Sequence, residues 1–295
     1  MSAAIRTYIE QHSPLIDRAL RSYLPVSKLE GAGILNDAIA HAVLAGGKRM
    51  RPVLTLLAAE VCGAKVEAAL PGACAVEFLH AASLALDDLP AMDDAGLRRG
   101  RATVHVLYGQ DQTILAALAL LNAAYGIFAG VPGLLPLALR EIGVDGMIGG
   151  QAGDLCSATW GNRLEKTTAL TRLTMATGAS AAGASAREIE VLMDFGHALG
   201  EAYQICDDIA DTAGAELDLG KTAGQDARNG RRSIVNDLGR EEASEYTRLL
   251  IDRACHSLRG HFGDLPPVKL LEEFVGTMVA RGFELVKPQG FELVQ

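Results

Sequence analysis

The sequence predicts an all-α protein, and three observations carry that expectation. Hydrophobic residues fill 49% of the 295 positions while aromatics reach only 5%; Ala and Leu dominate, and both lose little side-chain entropy in a helix. Apolar stretches of helical length recur between short Gly/Pro punctuations. Alternating apolar and polar runs of strand type are nearly absent.

Taken in order, helices are expected over about Ala3 to Leu24, Ile34 to Leu44, Pro52 to Cys62, Val66 to Leu86, Gln112 to Phe128 and Pro132 to Ile142. Others are expected over about Met147 to Thr159, Lys166 to Ala182, Ala184 to Ala210, Arg240 to Gly260 and Pro267 to Arg281. No linker, composition shift or solenoid-length repeat divides the chain, so it reads as one domain over residues 1–295, long enough to bury a large core. A local duplication marks the tail: GFELV at Gly282 to Val286 returns at Gly290 to Val294.

Charge and composition exclude several classes. A net charge of −9 gives no basic footprint for general nucleic-acid binding. Cys62, Cys74, Cys156, Cys206 and Cys255 are scattered without a CxxC, which argues against zinc and for buried thiols in a reducing cytoplasm. The charged start MSAAIRTYIEQHSPLIDRAL does not read as a signal peptide. Ile114 to Leu139 carries no charge and is long enough to cross a bilayer, but Gly130, Pro132, Gly133 and Pro136 set a turn inside it. It is expected to be core of a helical protein, with no membrane span.

Three clusters carry chemistry. Asp87-Asp88-Leu89-Pro90-Ala91-Met92-Asp93-Asp94 ends an apolar helix, where carboxylates oppose the macrodipole. Pro90 disfavours helical geometry at Leu89, a bend that would turn Asp93 back toward Asp87. Asp207-Asp208-Ile209-Ala210-Asp211 puts Asp207 and Asp211 on one helical face beside apolar Tyr203, Ile205 and Ile209. It is either a solvated acidic face or half of a metal site, since Mg²⁺ takes one or two carboxylates together with substrate phosphate. Gly46-Gly47-Lys48-Arg49-Met50-Arg51-Pro52 places three cations after two glycines, and Arg98-Arg99-Gly100-Arg101 adds more. Alone, each is a basic turn; beside acidic metal sites, they suit a diphosphate.

The run HAASLALDDLPAMDDAGLRRGRATVH resembles the first aspartate-rich region of the trans-isoprenyl diphosphate synthases, the farnesyl and geranylgeranyl diphosphate synthase family, in its bacterial and plant-type form. YQICDDIADTAGAELDLGKTAGQD resembles the second, and GGKRMRP, GGQAGDL and Lys166-Thr167 are similar to the other blocks, in order, over about residues 30 to 240. The resemblance implies an antiparallel helical bundle around a deep pocket, usually a homodimer, with three Mg²⁺. It implies metal ligation by Asp87 and Asp93 with Asp88 in support, and by Asp207 with Asp208 and Asp211 around it. Gly47, Lys48, Arg51, His80 and Arg99 match the isopentenyl diphosphate site; Arg98, Lys166 and Lys221 match contacts to the allylic diphosphate. Thr167 and Gln204 match groups near the reacting carbons. His80 could instead be a core histidine. The implied reaction is head-to-tail condensation of isopentenyl diphosphate with dimethylallyl, geranyl or farnesyl diphosphate.

The sequence departs from the family pattern at Leu86 (often His), Ala117-Leu118 (Gly-Asp), Arg231 (near a usual Lys) and Ser233-Ile234-Val235 (Thr-Tyr-Pro). None removes a metal ligand. One helical turn rises about 5.4 Å, near one isoprene unit, so the residues below Asp87 act as successive floors. Ala82 and Ser83 leave the first floor open and Leu79 and Phe78 close the second, which favours a twenty-carbon product over farnesyl diphosphate. A class I terpene cyclase usually carries Asn/Asp, Ser/Thr and Glu at helical spacing in its second motif and would have no use for the Gly47 to Arg51 cradle. A regulatory subunit would tend to lose its aspartates.

Overall fold

The computed structural model describes the backbone of residues 2–156, 160–212 and 234–284, and side chains in these segments except at 160–163, 210–212 and 281–284. Lys221, Arg231, Ser233, the side chain of Asp211 and most of the duplicated tail lie outside the described residues. Among the described residues, ten helices precede residue 213: α1 (Ala3–Tyr23), α2 (Gly33–Leu44), α3 (Met50–Val61), α4 (Val66–Asp87), α5 (Val104–Tyr108), α6 (Gln110–Ala129), α7 (Leu134–Ile142), α8 (Met147–Leu155), α9 (Trp160–Ala181) and α10 (Ala186–Thr212). After residue 233 come α11 (Ile234–Leu238), α12 (Arg240–Phe262) and α13 (Pro266–Glu284). The all-α expectation holds.

The bundle is organised around α9, which packs against α3, α4, α7, α8 and α10. The short turn through Gly183 (φ 69°) returns α10 along α9 as its antiparallel neighbour. One apolar cluster runs from Ile5 and Leu20 on α1 through Leu56, Phe78, Leu120 and Leu173 to Val275 on α13. Close approach is bought with small residues. A Cβ on Gly150 of α8 would lie 2.2 Å from the Lys166 backbone nitrogen, so glycine there lets α8 touch α9 beside a predicted site residue.

The uncharged stretch breaks where its glycines and prolines predict, between α6 and α7. Both α4 and α6 are long and apolar enough to cross a membrane, but most of α4 is enclosed within the bundle. Several features differ from the sequence expectation, among them the short helices α5 and α11, which it did not include. Helix α9 begins at Trp160, ahead of Lys166, although Gly161 and Asn162 have weak helix propensity. Leu97–Arg98 (β1) and Arg101–Ala102 (β2) form an antiparallel hairpin, pairing Leu97 with Ala102 and Arg98 with Arg101. Strands of two residues leave no alternating pattern to detect.

Candidate active site

The site grows from the lower end of α4. Beyond Asp87 the chain folds back: the Asp93 N–H donates to the Asp87 carbonyl at 2.9 Å and the Ala95 N–H to that of Asp88 at 3.1 Å. The bend expected from Pro90 is therefore present, and it returns Asp93 to Asp87. Asp87 and Asp88 are both buried. Arg98, on β1, donates from Nε to both Asp88 oxygens at 2.7 and 2.9 Å. Burial pushes the Asp88 carboxyl up and Arg98 opposes it, while Asp87 and Asp93 push it further up. This is the electrostatic state of a carboxylate group short of positive charge.

Lys166 on α9 answers part of that shortage. Its Nζ lies 3.1 Å from Asp87 and 3.6 Å from Asp154 of α8. The next residue, Thr167, donates to the Gln204 side-chain oxygen at 3.2 Å, and Gln204 donates to Asp208 at 3.1 Å. Two consecutive residues of α9 thus reach both acidic helices. Asp208 and Gln204 are buried, and Asp207 lies beside them with its charge helping to hold the Tyr203 phenol above its ordinary range, after burial.

The basic elements converge from α3 and the hairpin. Arg99 and Gly100 take φ of 54° and 72°, the left-handed pair that a two-residue hairpin turn requires. Arg99 Nη1 donates to the Gly46 carbonyl at 2.7 Å. Gly47 (φ 135°) makes room for it, since a Cβ there would stand 2.3 Å from Nη1. Lys48 is exposed beside this contact. The hairpin itself is pinned by His41 of α2, whose Nε2 bonds to the Ala102 carbonyl at 2.9 Å. Arg51 Nη1 donates to His80 Nε2 at 3.3 Å, which makes His80 a neutral acceptor. Burial, then the charges of Arg51, Arg99, Arg98 and Arg49, hold its imidazole well below the ordinary histidine range. Arg51 Nε is buried and finds no hydrogen-bond partner among the described residues, an orphaned donor that an anion would satisfy.

Phe78, Leu79 and Ala82 are fully enclosed, whereas Ser83 is half-buried and donates to the His80 carbonyl at 2.9 Å. Among the described residues, no three His, Cys, Asp or Glu side chains gather closely enough to cage a metal. Hard carboxylate oxygens at two helix ends, held by cations and without a closed cage, still suit Mg²⁺ that arrives with substrate phosphate. Sequence reasoning missed Asp154, although GGQAGDL stood out as a block; its pairing with Lys166 depends on the α8–α9 approach at Gly150.

An all-helical bundle with two acidic helix ends joined across one helix, beside an anion cradle, defines a class. Residues 32–257 match the polyprenyl synthetase family. The chain belongs to that family of trans-isoprenyl diphosphate synthases. It is 40% identical over 272 residues to the geranylgeranyl diphosphate synthase of Pantoea ananas, covering 86% of this chain and 87% of that one. It is 34% identical to the mitochondrial geranylgeranyl pyrophosphate synthase 6 of Arabidopsis thaliana, covering 91% of this chain and 89% of the relative. A farnesyl/geranylfarnesyl diphosphate (FPP/GFPP) synthase from Zymomonas mobilis superposes with TM-score 0.80 at 28% identity, covering 95% of this chain and all of that one.

Proposed function

We propose that this prenyltransferase condenses isopentenyl diphosphate with an allylic diphosphate, farnesyl diphosphate being the last acceptor, and releases geranylgeranyl diphosphate. The observation that carries the reading is the pair Lys166 and Thr167, which tie Asp87 to Gln204 and Asp208 across α9. Lys48, Arg51 and Arg99 hold the isopentenyl diphosphate. Neutral His80 orients the Arg51 fork, and the orphaned Nε turns toward the anion. Arg98 and Lys166 exchange carboxylate for allylic phosphate oxygens when substrate arrives. The side-chain oxygens of half-buried Thr167 and buried Gln204 face the developing carbocation, and the apolar residues of α4 exclude water from it.

Asp87, Asp88 and Asp93 on one side and Asp207, Asp208 and Asp211 on the other would hold Mg²⁺, three ions in all. Bound there, Mg²⁺ supplies the charge that stabilises the departing pyrophosphate. The experiment is pyrophosphate release with and without EDTA. Release should stop with chelator and return with Mg²⁺, and Asp207→Ala should stay inactive in both conditions. Chelator-resistant release would sink the metal assignment.

A second copy of the chain is the expected partner. Ile114, Leu115 and Leu118 form an exposed apolar stripe on α6, continued by Val106 and Leu107 on α5. Solvent exposure of such a stripe is unfavourable, and a homodimer would cover it.

A further inference from the structure

The sequence places three cations in one cradle, but the fold separates them. Lys48 is exposed and Arg51 is partly buried, whereas Arg49 turns inward and is only 7% exposed. Its Nη1 meets Glu77 of α4 at 2.8 Å and its Nε meets Asp17 of α1 at 3.2 Å. Glu77 is 4% exposed and Asp17 is at the surface. Arg49 also stands in left-handed backbone, φ 50° and ψ 35°, a conformation uncommon for a side chain of its size.

Stability does not account for this arrangement, because a buried ion pair replaced by apolar residues of similar volume is often neutral or stabilising. Geometry does. Arg49 is the N-cap of α3, and the Val53 N–H donates to its carbonyl at 3.1 Å, so its backbone sets the turn that carries Arg51. Glu77 and His80 lie three apart on one face of α4. Arg49 docks on the first and Arg51 on the second, forming two rungs between the cradle and the helix that ends at Asp87. Glu77 is also the buried anion whose field reaches both Arg51 and Arg99.

We propose that the Arg49–Glu77 pair is a positioning device that fixes the isopentenyl diphosphate cradle in register with the aspartate-bearing helix. It touches no substrate; it holds Lys48 outward and Arg51 toward the site. This inference rests on the prenyltransferase reading, and the experiment keeps the two apart.

Steady-state kinetics are measured for the wild type, Arg51→Ala, Glu77→Gln and the double variant Arg49→Met/Glu77→Leu, with folding followed by circular dichroism and thermal melting. The double variant removes both buried charges together, so it folds even where Glu77→Gln, which leaves Arg49 with surface Asp17 as its one carboxylate partner among the described residues, does not. In every folded variant of the pair the KM for isopentenyl diphosphate should rise about tenfold, short of the roughly hundredfold that a full ångström of misplacement can cost, while the allylic KM and kcat stay within about threefold. Arg51→Ala raising that KM while folded pair variants leave it unchanged would overturn the positioning role and leave the function standing. An equal loss in both substrates' kinetic constants, or failure of both pair variants to fold, would overturn it in favour of a purely structural pair. A folded wild type with no condensation activity would overturn the function itself, and this inference with it.

Discussion

Lys166 carries two obligations at once, holding Asp87 and Asp154 in a site where a like-charge pair would otherwise repel. Lys166→Ala should therefore raise the allylic KM more than the isopentenyl KM, and initial-rate measurements with each substrate varied check this. His80 yields a prediction in pH. Its folded-state affinity for a proton is depressed, so the unfolded chain gains a proton near pH 6.5 that the folded chain refuses, and stability falls as pH drops below that point. His80→Gln removes that penalty, so its Tm should decline less than the wild type's between about pH 7 and about pH 5. Parallel declines would show that His80 is protonated in the fold. The aspartates of the two acidic clusters were legible in the sequence because their charges interrupt apolar runs, and Lys166 through the resemblance of the block that holds it. Arg49 was not, since only the fold reveals that it faces Glu77 and Asp17 while Lys48 faces out.

At the scale of elements, α4 joins the acidic end to the proposed chain-length floor. Ala82 is enclosed and Phe78 lies one turn below it. If open tunnel lies beside Ala82, Ala82→Phe should be stable and release fifteen-carbon product; if packed core lies there, overfilling should cost about 1–3 kcal/mol and show as a lower Tm. Phe78→Ala should release products beyond twenty carbons and, as a fully buried ring, cost about 3–5 kcal/mol. Chromatography of the products with melting curves on the same samples separates the outcomes, and an unchanged twenty-carbon product in both variants would move the floor to another helix. The long helices were legible from composition and punctuation. The hairpin at Leu97 to Ala102 was not, because it depends on left-handed Arg99 and Gly100 and on His41 from another helix.

For the whole molecule, the departure at Ala117-Leu118 divides by environment: Ala117 is buried in the core, while Leu118 is 56% exposed on the α6 stripe. If the proposed homodimer forms through this stripe, Leu118→Glu should lower the mass measured by light scattering toward that of a monomer without lowering helicity, since a charge in an apolar interface is costly to desolvate. A dimer of unchanged affinity would place the contact elsewhere. The bundle was legible because each helix announces itself locally. The joining of its two acidic ends was not, because it runs through α9, more than seventy residues from Asp87 in sequence, by way of Lys166 and Thr167. Condensation depends on that junction, and the products themselves report it. Purified protein is incubated with farnesyl diphosphate, labelled isopentenyl diphosphate and Mg²⁺, and the dephosphorylated products are separated by chain length. The wild type should give labelled geranylgeraniol, and Asp87→Ala the same product at a rate lower by about a thousandfold. Cyclised hydrocarbon without incorporated label, or no product from a folded wild type, would contradict it.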